Sequence, residues 1–121
     1  MKRDLTIIGL GYVGLPLAQE ATRSGLSVSG FDINAGAIAS LWEGRSYVDD
    51  LTDSDINSML QRGFEPTSDP SVIAKSEAIV ICVPTPLSPD GGPDLAAVRA
   101  ASRTVAEHLQ PGSLVVLEST T

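Results

Sequence analysis

Cysteine is nearly absent from this sequence. Cys82 is the single one among 121 residues, so no disulfide can form within the chain, and the composition agrees with a reducing cytoplasm. Aromatic residues make up only 4%. The 42% hydrophobic content is therefore carried by Leu, Ile, Val and Ala, the residues of helices packed on a buried sheet. Basic residues number 8 against 15 acidic, for a net charge of −7. That balance offers no basic patch, which excludes nucleic acid and an anionic membrane surface as partners. It does not exclude an anionic nucleotide, because backbone N–H groups at a helix N-terminus hold phosphate without Lys or Arg. No apolar run approaches the ~18 residues of a membrane span. Gly9, Gly11 and Tyr12 interrupt the one apolar run near the start, so no signal peptide is expected. His and Cys do not cluster, and no metal is expected.

What is present is a strict alternation of elements. Leu5 to Gly9 reads as a short buried strand. Helical spacing runs from about Tyr12 to Ser24, with Val13, Leu17 and Ala21 on one face and Gly25 as the stop. Residues 26–32 read as a second strand and Asn34 to Trp42 as a short helix closed by Gly44. Thr52 is placed to cap a helix from Asp53 to Gln61, and Asp69 a brief turn with Pro70 in its first position. Residues 64–67, the run EAIVICVP (77–84) and SLVVLESTT at the end supply three more strands. TPLSPDGGPD (85–94) is a loop, and Asp94 caps a helix that reaches about Leu109. This pattern predicts an α/β fold: a doubly wound parallel sheet in a single three-layer domain spanning 1–121. No repeat and no internal boundary interrupt it. The sequence stops directly after a strand, where many α/β enzymes place site residues, so it is expected to be a truncated part of a longer protein.

Gly9, Gly11 and Gly14 form a G-x-G-x-x-G pattern between the first strand and the first helix. Alone, that pattern also fits a plain tight turn. Asp32 ends the second strand 18 positions after Gly14, close to the ~20 of a dinucleotide fingerprint. In that setting Gly9 allows the turn, Gly11 lets backbone approach a pyrophosphate, and Gly14 lets the helix pack close to the sheet. Asp32 would accept hydrogen bonds from the adenosine ribose and repel a 2′-phosphate, which favours NAD over NADP. The plainer role for Asp32 is a helix cap or a solvated strand end.

Four segments in order, GLGYVGLPLA (9–18), VPTPL (83–87), PDL (93–95) and LESTT (117–121), resemble the N-terminal domain of the UDP-glucose/GDP-mannose dehydrogenase family. The likeness spans essentially the whole chain and is strongest to the branch acting on UDP-N-acetylhexosamines, which serves polysaccharide biosynthesis. It implies an oxidoreductase that converts the C6 alcohol of a nucleotide sugar to a carboxylate with two NAD. It assigns Gly9, Leu10, Gly11, Tyr12, Val13 and Gly14 to the phosphate loop and Asp32 to the ribose. Pro84, Thr85 and Pro86 match a loop lying over the cofactor. Ser119 matches a cofactor contact, Thr120 a residue near the reacting centre, and Glu118 the nicotinamide side. Ala37 departs from the family, which often has Arg there, near the adenosine. The family's catalytic Cys, Lys and Asn come later than residue 121, so this chain is expected to bind NAD without turnover. The nucleotide sugar would meet the missing domains. The whole enzyme would be a homo-oligomer and this piece a monomer.

Cys82, in an apolar strand, reads as a buried structural thiol and not a nucleophile. His108 lacks an orienting partner in the sequence and is not assigned to catalysis. Asp49 to Asp55 read as a solvated face. Trp42 fits either a core anchor or a surface contact. Two rival functions fit the glycines: a stand-alone nucleotide-sensing module, and a different NAD-dependent dehydrogenase for a hydroxy acid or acyl substrate. A sensor has no need of VPTP and ESTT, and the second rival does not explain GYVGLP joined to VPTPL.

Overall fold

A computed structural model describes residues 2–118. Its centre is β1 (Arg3–Ile8), whose Leu5, Thr6, Ile7 and Ile8 are all buried. A strand buried on both faces must be apolar at successive positions and not alternately, which is why LTII reads as a continuous run. β1 pairs in parallel with β2 (Val28–Phe31) on one side and β4 (Ser76–Ile81) on the other. β3 (Glu65–Thr67) and β5 (Leu114–Leu117) extend the sheet outward, giving the order β3-β2-β1-β4-β5.

The pleat sends alternate side chains into two cores. Leu5 and Ile7 of β1 pack with α1 (Gly14–Arg23), α2 (Ala35–Trp42) and α3 (Asp53–Gln61), through Leu15, Ala18, Leu41, Ile56 and Met59. Ile8, Ile79 and Ile81 face the opposite layer, where Val72 and Ile73 of the 3₁₀ helix Pro70–Lys75 and Ala101 and Val105 of α4 (Ala96–His108) cover them. The doubly wound three-layer arrangement expected from the alternation is therefore present.

Local signals fixed most element ends. Thr52 and Asp55 form a reciprocal capping box at α3. Asp69 accepts the Ser71 N–H with Pro70 opening the 3₁₀ turn. Asn34 accepts the Ala37 N–H at the start of α2. At α4 the N-cap position is Leu95, and Asp94 acts from one residue earlier by accepting the Ala96 N–H at 2.9 Å. Of the face formed by Val13, Leu17 and Ala21, Ala21 is buried and Leu17 packs against the core, but the buried stripe of α1 is centred elsewhere. It runs through Gly14, Leu15, Ala18, Ala21 and Thr22, while Val13 is exposed. At Gly14 the helix approaches the turn backbone to backbone.

Trp42 lies half out of the surface, and its indole N–H donates to the Pro66 carbonyl at 2.9 Å, tying α2 to β3. Asp49 and Asp50 are exposed. Arg3 locks the opposite end of the sheet from the strand C-termini, donating to Ser29 Oγ and to the carbonyls of Val28 and Gly63. Among the described residues no helix is long and apolar enough to cross a membrane, and no three His, Cys, Asp or Glu side chains group as a metal site.

Ile7 is fully buried in the central strand, so Ile7→Ala is expected to lower unfolding free energy by about 2–5 kcal/mol. Urea denaturation followed by circular dichroism measures this.

Candidate cofactor site

The chain leaves β1 towards β2 on one side and returns to β4 on the other. The crevice between these two directions opens at the C-terminal ends of the strands, where doubly wound sheets bind ligands. A cleft of about 480 Å³ lies there.

Its floor is the turn after β1. Gly9 has φ +96°, and its N–H donates to Phe31 O at 2.8 Å. A Cβ at Gly9 would sit 2.8 Å from the Cys82 carbonyl oxygen, so strain and space both demand glycine. The turn brings Gly14 so close that a Cβ there would lie 1.8 Å from the Gly9 carbonyl oxygen. A Cβ on Gly11, by contrast, would meet no described atom within 4 Å, and Gly11 lines the cleft. Gly9 and Gly14 thus build the turn, and Gly11 leaves its open side bare.

α1 begins beside this opening with Val13 at its N-cap and no capping side chain. Among the described residues no acceptor meets the N–H groups of Gly11, Tyr12 and Val13. The same chain caps α2 and α3 with side chains. Gly11 lines the cleft, and Tyr12, Val13 and Gly14 follow it without lining it. An uncapped helix start beside a cleft leaves donors and the positive end of the helix dipole available to an anion.

Asp32 stands at the end of β2 on the cleft wall. One carboxylate oxygen accepts the Leu10 N–H and the other the Asn34 N–H, both at 2.9 Å. A carboxylate offers about four acceptor positions, so these two bonds orient the group and leave lone pairs for a ribose diol. The plainer role and the ligand role are compatible.

The opposite wall comes from β4 and α4. Cys82, Val83 and Pro84 follow β4, and Ala97, Ala100, Ala101 and Thr104 of α4 complete the cleft. Thr85 and Pro86 continue from Pro84 without lining it. The Pro86 carbonyl instead accepts the Asp94 N–H at 2.6 Å, closing the 86–94 loop on itself. Glu118 follows β5, and its N–H donates to Ile81 O at 2.9 Å. Burial, with the nearby Glu118 charge, pushes the Cys82 thiol up to about 11. Ser119 and Thr120 lie outside the described residues.

Sequence reasoning did not single out the α4 wall or Ile33, which also lines the cleft. The signal in α4 was the small residues Ala97, Ala100, Ala101 and Thr104 at helical spacing, which leave room for a ligand. Ile33 carried none.

A second depression of about 330 Å³ lies between α1 and α3, with Arg23, Arg62 and Asp55 at its edges. Its mixed charge and its distance from the strand C-termini give it no comparable set of backbone donors.

The pattern of the UDP-glucose/GDP-mannose dehydrogenase family, NAD binding domain, matches residues 3–121. Protein CapL of Staphylococcus aureus is 37% identical over 120 residues, which are 99% of this chain and 27% of that protein. The structure of UDP-D-ManNAc dehydrogenase from Pyrococcus horikoshii superposes with a TM-score of 0.90 at 37% identity, covering 97% of this chain and 28% of that one. GDP-mannose dehydrogenase from Pseudomonas aeruginosa gives a TM-score of 0.89 at 28% identity, with 97% and 28% covered. The chain thus spans between a quarter and a third of the length of these relatives.

The Cys82 thiol is expected to resist alkylation in the folded chain. At pH 8 iodoacetamide should label it about two orders of magnitude more slowly than in denaturant, because its thiolate fraction falls with the raised pKa. The same shift means that Cys82 opposes folding increasingly as pH rises from about 9 to about 11. Mass spectrometry of timed samples measures the labelling.

Proposed function

The chain belongs to the UDP-glucose/GDP-mannose dehydrogenase family as its NAD-binding domain, and we propose that the cleft at the C-terminal ends of β1, β2 and β4 is where it holds NAD. The observation that carries this reading is that Gly11, just ahead of the uncapped start of α1, lines the same cleft as the oriented Asp32 carboxylate. The unmet N–H groups of Gly11, Tyr12 and Val13 would bind the pyrophosphate, with Leu10 and Gly14 shaping the loop. Asp32 would accept the adenosine ribose hydroxyls. Ile33 and the small residues of α4 would flank the adenine. Pro84 would lie along the nicotinamide half, with Thr85 and Pro86 continuing from it outside the cleft and Glu118 at the end of β5. The roles that the family likeness implies for Ser119 and Thr120 fall on residues outside those described.

Residues 1–121 would be one domain of a longer enzyme whose remaining domains bind the substrate. The relatives named above support a nucleotide sugar as that substrate, and the VPTPL, PDL and LESTT segments favour a UDP-N-acetylhexosamine. Two NAD, bound in turn, would supply the oxidising power for the two successive two-electron oxidations of C6 to the uronic acid. This chain's own part is to fix the cofactor's position. The nucleophile belongs to the rest of the protein, since Cys82 is buried and its thiol stays protonated at neutral pH. The whole enzyme would be a homo-oligomer.

Calorimetric titration tests the cofactor reading. The folded chain is expected to bind NAD saturably and NADP much more weakly. Asp32→Ala should weaken NAD about 10- to 100-fold, the worth of charge-assisted hydrogen bonds. It should also lower stability, since the Leu10 and Asn34 N–H groups lose their acceptor. Absence of saturable NAD binding by the folded chain would overturn the proposal.

A further inference from the structure

Tyr47 lies in the segment between α2 and α3, far in sequence from the glycine loop. Its hydroxyl donates to the Leu10 carbonyl at 2.6 Å across 37 positions. The segment that carries it is itself held. Val48 and Leu51 are buried, and the Ser46 N–H donates to Asp53 Oδ1 at 2.8 Å. Leu10 has no exposed surface, and its N–H is taken by Asp32. One residue of the loop is therefore gripped at its side chain, its N–H and its C=O.

The C=O grip has a consequence for Gly11. The Leu10 carbonyl and the Gly11 N–H belong to one peptide plane, and no peptide bond among the described residues is cis. In a trans peptide the two groups point in opposite directions. Fixing the carbonyl on Tyr47 fixes the Gly11 N–H pointing away from Tyr47. Leu10 and Gly11 line the cleft, and Tyr47 does not. The hydroxyl thus acts on the loop from outside the cleft lining, on the opposite side of the peptide from the Gly11 N–H.

We propose that Tyr47 is a positioning residue for the phosphate loop: its hydroxyl sets the Leu10–Gly11 peptide so that the Gly11 N–H is presented to the cofactor's pyrophosphate. This rests on the NAD reading of the cleft. Burial and the Asp32 charge push the Tyr47 hydroxyl up to about 12, so it remains a donor throughout the physiological range. The loop is thus held at this setting in the ligand-free chain, which lowers the ordering cost of binding.

Tyr47→Phe keeps the ring and removes only the donor. Compared with the wild-type chain, the variant is expected to bind NAD and ADP about three- to tenfold more weakly, the worth of one neutral hydrogen bond. Adenosine, which lacks the pyrophosphate, should bind both chains equally in an NMR titration. The Gly11 amide resonance should shift in the ligand-free variant. Unchanged NAD and ADP affinity would overturn the proposal. Equal loss of adenosine binding would also overturn it, since Tyr47 would then be a general staple of the fold. A folded wild-type chain that binds neither NAD nor ADP would overturn the cofactor reading itself, and this proposal with it. That outcome is read in the wild type, so the two failures are distinguishable.

Discussion

The close approach of α1 to the turn after β1 sets the geometry of everything around it. A single added carbon at Gly14 would lie 1.8 Å from the Gly9 carbonyl oxygen, inside any van der Waals distance, so helix and turn touch backbone to backbone. This contact fixes which stripe of α1 is buried and therefore how it rests on β1 and β2. It also fixes where the first free N–H groups of the helix point. Gly9 takes a positive φ to make the turn and is held from the other side by β4. The cleft follows from these two positions, and Gly11 is left open because the same turn carries it clear of the sheet.

Charge explains how an acidic chain can present an anion site. The net charge of −7 argues against any broad positive field, and the cleft gathers no Lys or Arg. In the proposed binding the attraction would come from the backbone, through N–H groups with no acceptor among the described residues and the helix dipole behind them. α2 and α3 each satisfy their first turn with a side chain, whereas α1 does not. Asp32 adds negative charge to the same cleft, but its carboxylate stands at the end of β2 and is oriented by two N–H groups.

Several features belong together only in three dimensions. Asp32 and Tyr47 act on the two sides of Leu10 from positions 22 and 37 residues away. Glu118, at the end of β5, shares its surroundings with Cys82 at the end of β4 and helps keep that thiol protonated. Family membership, the fold and the cofactor type agree with the motifs, while the roles of individual side chains rest on this geometry.

The sequence determined the elements and the logic of the turn, because those depend on short-range physics. The apolar run of β1, the Thr52 and Asp69 caps, the glycine spacing and Asp32 at the end of β2 are all decided by residues within a few positions of one another. Even there, detail was settled by contacts that helical periodicity does not encode: of the face with Val13, Leu17 and Ala21, Ala21 is buried and Leu17 packs on the core, but Val13 is exposed. The tertiary structure alone decided the far wall of the cleft, where α4 brings Ala97, Ala100 and Thr104 opposite Asp32. It also decided the placement of the Tyr47 hydroxyl on the Leu10 carbonyl. Alanines on a helix and a tyrosine between two helices carry no local signature of a ligand site. Their meaning comes from which surface the sheet order and the chain crossovers place opposite them.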